Sequence, residues 1–239
     1  MLKLKKIIEE SSGFQVVSTT KEDIKNIKKI IQDSFDLTLR KNNIEPCLLD
    51  NYHKLKINDN LHKKIWTRKN RVANKKLIDY LMYKSKIFKI LKKEFGTLSL
   101  SKKVEKNKPD IFWRIVRPNK KNDVGPIHAD EWFWKTNKWT IPKNKKLLKI
   151  WLLLSDNLNK GLSIIPNSHL KKNWIYKKIY KDNIFKPKFD EKKNFFKIKS
   201  LNTPKGKVLF FNYGLLHSGL INNSKTTRIS LEFTVFYRE

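Results

Sequence analysis

The sequence predicts a mainly β fold, a sandwich or barrel, entered through a set of N-terminal helices. Three observations predict it. Apolar residues recur at helical spacing as far as Gly96. Beyond Gly96 the texture changes to short apolar runs separated by turn residues. The chain has 239 residues, a length at which an all-β core commonly forms one unit. We therefore read residues 1–239 as one domain, with 1–96 a helical lead-in and 97–239 the β core.

Thr19-Thr20-Lys21-Glu22 supplies an N-cap and an acid just before Ile24, Ile27, Ile30 and Ile31, which predicts an amphipathic helix over about 21–34. Leu77, Leu81, Ile87, Ile90 and Leu91 mark the buried stripe of a longer helix over about 71–95, with Gly96 as its stop. The stretch 44–68 has no clear period; Trp66 within it is expected to be a core anchor. Predicted strands are 97–104, 111–117, 127–134, 147–154, 162–165, 207–212 and 227–237. Turn material separates them at Pro118-Asn119, Asp156 to Gly161, Pro166-Asn167, Pro204-Lys205-Gly206 and Asn222-Asn223. Residues 170–203, rich in Lys and carrying Trp174, Tyr176, Tyr180, Phe185, Phe195 and Phe196, break this rhythm. They are expected to be an insertion packed over one mouth of the β core.

The net charge of +32 raises a nucleic-acid or membrane partner. The lysines, however, are dispersed rather than blocked, and Lys supplies all but seven of the 54 cations. With Ile and Asn also abundant, this reads as a solvated lysine coat from an AT-rich coding bias, so nucleic acid is not the expected partner. Where Lys is the default cation, each Arg stands out for its planar fork. The single cysteine, Cys47, excludes an internal disulfide. The N-terminus has no apolar h-region. The longest uncharged stretch, 208–224, holds two Gly, three Asn and a His, which makes a poor membrane span. A cytoplasmic protein is expected.

The chemistry lies in four residues. His128-Ala129-Asp130 stands 89 residues before His217, and Arg228 follows His217 by eleven. With 5 His and 12 Asp in the chain, about one chain in four of this make-up would hold a His-x-Asp by accident, but the ordered set is far rarer. If 127–134 is a strand, His128 and Asp130 share a face. His217, just past the apolar run VLFFN, then completes two imidazoles and one carboxylate, the facial set of non-haem Fe(II) sites that activate oxygen. Arg228 opens the last strand, where its guanidinium is placed to grip a carboxylate bidentately, and Ser230 shares its face. Trp132 and Trp134 continue the face of His128 and Asp130 and are candidate substrate walls, with core packing an equal alternative. Arg114 and Arg117 fall on opposite faces of one strand; Arg117, set at the strand end by Pro118, is the one expected to face the pocket and meet substrate. His169 is expected at the pocket rim as a hydrogen-bonding residue, and His53 and His62 at the surface.

Three stretches resemble the phytanoyl-CoA dioxygenase family of Fe(II)/2-oxoglutarate oxygenases. The first is His128-Ala-Asp130. The second is Lys149-Ile-Trp-Leu-Leu-Leu-Ser-Asp156 followed by Gly161-Leu-Ser-Ile-Ile-Pro-Asn-Ser-His169, in which Asn167 replaces the usual Gly. The third is His217-Ser-Gly-Leu-Ile-Asn222-Asn-Ser224-Lys-Thr-Thr-Arg228. The resemblance covers roughly the C-terminal 140 residues, and the first hundred match only as a generic helical lead-in. It implies a double-stranded β-helix, or cupin-like jelly roll. His128, Asp130 and His217 would hold Fe(II), Arg228 would bind the distal carboxylate of 2-oxoglutarate, and Trp151 would stand near that cosubstrate. The implied reaction consumes O2, decarboxylates 2-oxoglutarate to succinate and hydroxylates a small metabolite. Halogenases of this superfamily lack the carboxylate ligand, so Asp130 points to hydroxylation or a related oxidation. An anionic or carbohydrate-linked metabolite is the substrate guess. Rival readings are oxidative demethylation of nucleic acid, which would bring salt-sensitive binding, and a non-catalytic basic jelly-roll binding protein with a vestigial site.

Overall fold

The computed structural model describes residues 4–103, 108–155, 160–181, 184–194 and 196–238. Val104 at the end of the first predicted strand, the 156–159 part of a predicted turn, and Phe195 lie outside the described residues.

The chain opens with helix α1 (Leu4–Glu10), strand β1 (Phe14–Ser18) and helix α2 (Lys21–Arg40). Thr20 caps α2 by accepting the Asp23 amide at 3.0 Å, with Glu22 and Asp23 in its first turn. The helix runs past the predicted end because Phe35 and Leu39 prolong the buried stripe of Ile24, Ile27 and Ile31. The unassigned stretch that follows contains a 3-10 segment (Leu49–Leu55) and helix α3 (Asp59–Ile65). Trp66 is the anchor expected, stacked on Phe35 at 5.1 Å between ring centroids and buried against Trp113.

The helix expected over 71–95 is interrupted. Helix α4 (Lys75–Asp79) passes into a π-helical turn (Tyr80–Lys84), and α5 (Lys86–Phe95) restarts after Ser85. Ser85 is the cause: its backbone is extended, and its hydroxyl caps the Phe88 amide at 3.3 Å, the work of an N-cap within an otherwise helical pattern. Gly96 ends α5 at φ +72°, as its position suggests.

Strands β2 (Leu98–Leu100), β3 (Ile111–Val116), β4 (Lys145–Leu153), β9 (Lys207–Asn212) and β11 (Arg228–Arg238) join β1 in the larger sheet, in the order β1-β9-β4-β11-β2, with β3 also paired to β11. A smaller sheet has the order β10-β5-β8, from β5 (Lys160–Ile164), β8 (Lys199–Asn202) and β10 (His217–Gly219). Alternation along the long strands divides the larger sheet cleanly. Ile229, Leu231, Phe233 and Val235, with Ile150, Leu152 and Phe210, pack on the helices in the main core. Their neighbours Trp151, Leu153, Leu209 and Phe211 face the smaller sheet and pack on Leu162 and Ile164. The two sheets enclose a space between them, and the site lies there.

Two expectations are corrected. The predicted strand 127–134 is an extended residue, His128, followed by helix α6 (Asp130–Thr136). Asp130 and Glu131 occupy the first turn, where negative charge is favoured, and Glu131 pairs with Lys135 one turn on. The alternating tryptophans mimicked a strand. The predicted insertion 170–203 is a two-stranded hairpin of β6 (Tyr176–Lys181) and β7 (Ile184–Phe189), while β8 at its end belongs to the smaller sheet. The hairpin packs on α6 through Trp132, stacked on Tyr176 at 4.3 Å between centroids. Strand β1, paired in register with β9, was not predicted. Among the described residues no helix is long and apolar enough to cross a membrane.

Gly161 makes the contact between sheets possible, because a Cβ there would fall 2.2 Å from the Trp151 ring. Gly161→Ala is expected to cost about 1–3 kcal/mol in urea unfolding through overpacking. An unchanged midpoint would show that Trp151 moves aside freely.

Candidate metal centre

His128 and His217 are held together by their backbones. The His128 amide donates to the His217 carbonyl at 3.0 Å, and the His217 amide returns the bond at 2.9 Å. This narrow antiparallel bridge brings the two imidazoles to 4.4 Å between centroids. Each ring is then fixed by the same device. His128 Nδ1 donates to the Pro126 carbonyl at 2.8 Å and His217 Nδ1 to the Leu215 carbonyl at 2.9 Å. A carbonyl only accepts, so the proton sits on Nδ1 and the Nε2 lone pair stays free on both rings. Asp130, the first residue of α6, brings its Oδ2 to 3.7 Å from His217 Nε2. One ligand atom from each of the three residues lies within 4.8 Å of the others.

The surroundings keep these groups in metal-binding forms. Burial, with the neighbouring His128 adding to it, pulls the His217 pKa down to about 4, so its imidazole is neutral near pH 7. Burial works against ionisation of Asp130, but Lys149, His217 and His128 outweigh it and hold the carboxyl below its ordinary range. Lys149 Nζ stands 3.4 Å from Asp130 Oδ1, while the buried Oδ2 has no hydrogen-bond partner among the described residues. A buried carboxylate oxygen left over beside two free imidazole nitrogens fits a divalent metal.

The inner face of the larger sheet supplies the rest. Arg228, Ser230 and Glu232 follow one another along β11 with the spacing of a single strand face, and Lys149 and Trp151 do so along β4. Burial lowers the Arg228 pKa to about 10, which leaves it charged at neutral pH, and its buried Nη1 has no hydrogen-bond partner among the described residues. It lines one pocket with Val116, Leu162 and Gly219, and a buried guanidinium there suits a carboxylate arriving as ligand. Arg228 does not pair with Glu232, although the two share one face of β11. Glu232 is taken by Arg114 at 2.7 Å, and although burial opposes its ionisation, Arg114 and Lys149 draw its pKa to about 2. Two compartments meet at His128 and Asp130, one on the Arg228 side and one beneath α6 and the hairpin.

Several expected placements are corrected. Arg117 does not face the pocket. Its guanidinium is buried on Asp123 at 2.8 and 2.9 Å and on Asp59 at 2.9 Å, while Arg114, in phase with the inner face, lines both compartments. Trp132 and Trp134 do not share a face with His128, since α6 turns them apart. Trp132 is packed into the hairpin, and Trp134 packs on Trp139 and Phe236 while also lining the second compartment. His169 is not at the rim; it lies under Gly13, with Nε2 3.2 Å from the Glu9 carbonyl. His62 is buried rather than superficial, bonded to the Tyr52 hydroxyl at 3.0 Å, and His53 is half-buried on Thr227. Sequence reasoning missed Lys149 and the Arg114–Glu232 pair. The signal was there: each is a charge inside an otherwise apolar strand, in phase with Trp151 or Arg228.

The depressed His217 pKa has a consequence for stability. The unfolded imidazole takes a proton near pH 6.5, whereas the folded one resists until about pH 4. The metal-free protein should therefore be unaffected above about pH 6.5 and lose up to ~1.4 kcal/mol per pH unit, per such group, as pH falls toward 4. Burial pushes His62 the same way. In urea unfolding between pH 7.5 and 4, His217→Gln should remove about one proton from this slope; an unaltered slope would contradict the account.

The fold and this geometry can be set beside known proteins. Among solved structures, EctD from S. alaskensis with bound Fe aligns with 100% of this chain and 77% of its own, at a TM-score of 0.58 and 12% identity. EvdO2 from Micromonospora carbonacea var. aurantiaca, complexed with 2-oxoglutarate, aligns with 99% of this chain and 90% of its own, at 0.54 and 13%. The non-heme alpha ketoglutarate dependent carbocyclase SnoK from nogalamycin biosynthesis covers 99% and 85%, at 0.55 and 13%. At such identities these likenesses speak for the jelly-roll fold. No curated protein matches the chain in sequence. The model of the family described as "Phytanoyl-CoA dioxygenase (PhyH)" matches residues 36–230. The chain thus belongs to the phytanoyl-CoA dioxygenase family and is a non-haem iron dioxygenase that uses 2-oxoglutarate and O2.

Proposed function

We propose that His128, Asp130 and His217 hold the iron, that Arg228 and Ser230 take the distal carboxylate of 2-oxoglutarate, and that the enzyme hydroxylates a small molecule. One observation carries the reading. Two buried polar atoms at the site have no hydrogen-bond partner among the described residues, Asp130 Oδ2 and Arg228 Nη1, and they are the two that a metal and a carboxylate would satisfy. When bound, iron with 2-oxoglutarate supplies the activation of O2, coupled to release of succinate and CO2.

The protein's own part is to bind, orient and exclude. Lys149 holds Oδ1 of Asp130, which leaves Oδ2 turned to the metal and the carboxylate ionised. The apolar walls around Arg228 lower the local dielectric, which strengthens its pairing with a carboxylate. Ser230, on the same strand face, adds a hydroxyl donor. Trp151, fixed against Gly161, walls the cosubstrate side with an indole that offers no competing acceptor. Arg114 and Glu232 neutralise each other on the floor between the compartments. A carboxylate at position 130 fills the place a halide would need, which favours hydroxylation. The lysine coat has no part in this reading, and a small molecule rather than nucleic acid is the substrate.

Replacing His217 with Ala should abolish Fe(II) binding, measured anaerobically by calorimetry, while His169→Ala should leave most of it. The reverse pattern would overturn the ligand assignment. Arg228→Met should remove a charge-assisted pair worth about 1.5–3 kcal/mol, lowering 2-oxoglutarate affinity roughly ten- to 150-fold. Lys at this position should restore only part, because it offers a point charge in place of a fork. Affinity unchanged in the Met variant, followed by the visible charge-transfer band of the anaerobic Fe(II) complex, would refute the role of Arg228.

A further inference from the structure

The compartment beneath α6 shares Arg114, His128, Asp130, Lys149 and Glu232 with the one that Arg228 lines, but Arg228 is not among its walls. Its walls include the rings of Phe112, Phe133, Trp134 and Trp139 together with Arg68 and Arg71. Ile184 of the hairpin closes it, and the hairpin is pinned to α6 by two bonds between Asn137 and the Phe185 backbone, at 2.9 and 3.0 Å. Its volume is about 140 Å³. A cavity of this order holds a benzene-sized body.

Two features set its charge preference. In a chain where Lys supplies all but seven of 54 cations, four of the seven arginines, Arg68, Arg71, Arg114 and Arg228, line the two compartments at this centre. Arg in place of the default Lys marks positions where a rigid fork matters, and a fork matches carboxylate or phosphate. Arg68, Arg71, Arg114 and Lys149 also outnumber the carboxylates of Asp110, Asp130 and Glu232, and the metal takes Asp130. Arg114 is committed to Glu232. Arg71 is held rigid by donating Nε to the Trp66 carbonyl at 2.9 Å and Nη1 to the Trp113 carbonyl at 3.2 Å. Arg68 lies over the Phe112 ring at 6.0 Å. Burial and the like charges of Arg114 and Arg68 depress Arg71, a crowding that an incoming anion would relieve.

We infer that this compartment binds the substrate as a small acid, a ring-sized apolar body seated among Phe112, Phe133, Trp134 and Trp139 with its carboxylate or phosphate on Arg68 and Arg71. The inference rests on the oxygenase reading, in that it assigns the substrate to the face of the metal residues that the cosubstrate leaves open. Arg68 and Arg71 are then the residues that select an acid over its neutral analogue.

The test is anaerobic calorimetry on the protein carrying Fe(II) and 2-oxoglutarate, with phenylacetate, phenyl phosphate and neutral phenylacetamide as probes. At least one of the two acids should bind about tenfold or more tighter than the amide, and the stronger of the two identifies the anion. Arg68→Gln should erase most of that preference and leave 2-oxoglutarate affinity intact, which also shows that the variant is folded. Arg71→Gln should act likewise but is the poorer probe, because it also frees two buried carbonyls. Equal binding of acid and amide, binding of none of the three, or a preference that survives Arg68→Gln would overturn the inference while 2-oxoglutarate still binds. Failure of wild-type protein to bind 2-oxoglutarate would instead defeat the oxygenase reading, and the acid-to-amide ratio measured without it would still judge the compartment.

Discussion

The centre depends on a two-residue backbone bridge. His128 and His217 come from segments almost ninety residues apart, and the reciprocal amide-to-carbonyl bonds between them are what put two imidazoles on one metal-sized space. The bridge prolongs a ladder: β10 pairs with β5 through His217 and Ile164, and β5 packs on β4 through Gly161 and Trp151. Each imidazole is also tied to a carbonyl two residues back along its own chain, so ring orientation follows from local backbone conformation. The third ligand needs only one more residue of extended chain before α6 begins. Asp130 therefore serves two ends, favoured as an acid at a helix start and placed as a carboxylate beside two imidazoles.

The same economy governs β11, whose alternation separates stability from chemistry. Ile229, Leu231, Phe233 and Val235 are fully buried against the helical layer and tie the strand to the main core. Arg228, Ser230 and Glu232 then have no freedom to choose their side; the pleat turns them inward. A one-residue slip would put Arg228 in the apolar core and Ile229 in the site, so the hydrophobic face enforces the register on which the polar face depends. Strand β4 repeats the arrangement with Leu148, Ile150 and Leu152 outward and Lys149 and Trp151 inward.

What was legible in the sequence follows this division. Period-two alternation is strong in β4, β9 and β11, so those strands, their inner faces and the Arg228–Ser230 pairing could be read directly. His128, Asp130 and His217 were legible as residue types in order. Their geometry was read wrongly, because Trp132 and Trp134 alternate like a strand although Asp130 and Glu131 start a helix there. The three residues still come together because the one extended residue that matters, His128, precedes the helix. Arg117 shows the opposite failure. Position at a strand end said nothing of Asp59 and Asp123, which come from other segments and capture its guanidinium. Ser85 broke a helix that apolar spacing joined, since a serine's cap competes with its helical use only when the backbone around it turns. Tertiary partners of polar side chains were the illegible part throughout.

Those polar partners also explain why the site cannot be a by-product of a stable core. Burying Lys149, Asp130, Arg114, Glu232 and Arg228 within one sheet interior is costly, and paired burial only offsets the cost of desolvation. Arg114 and Glu232 satisfy each other, and Lys149 satisfies half of Asp130. Of these groups, the buried atoms left without a hydrogen-bond partner among the described residues are Asp130 Oδ2 and Arg228 Nη1. On the proposed assignment, a metal and a carboxylate gain in binding at these two groups what the fold forgoes, and by mass action they stabilise the folded chain as they bind. Binding and stability are thus coupled at the same atoms. A substitution that relieved the burial, such as an apolar residue at 228, would stabilise the empty fold and weaken the site together.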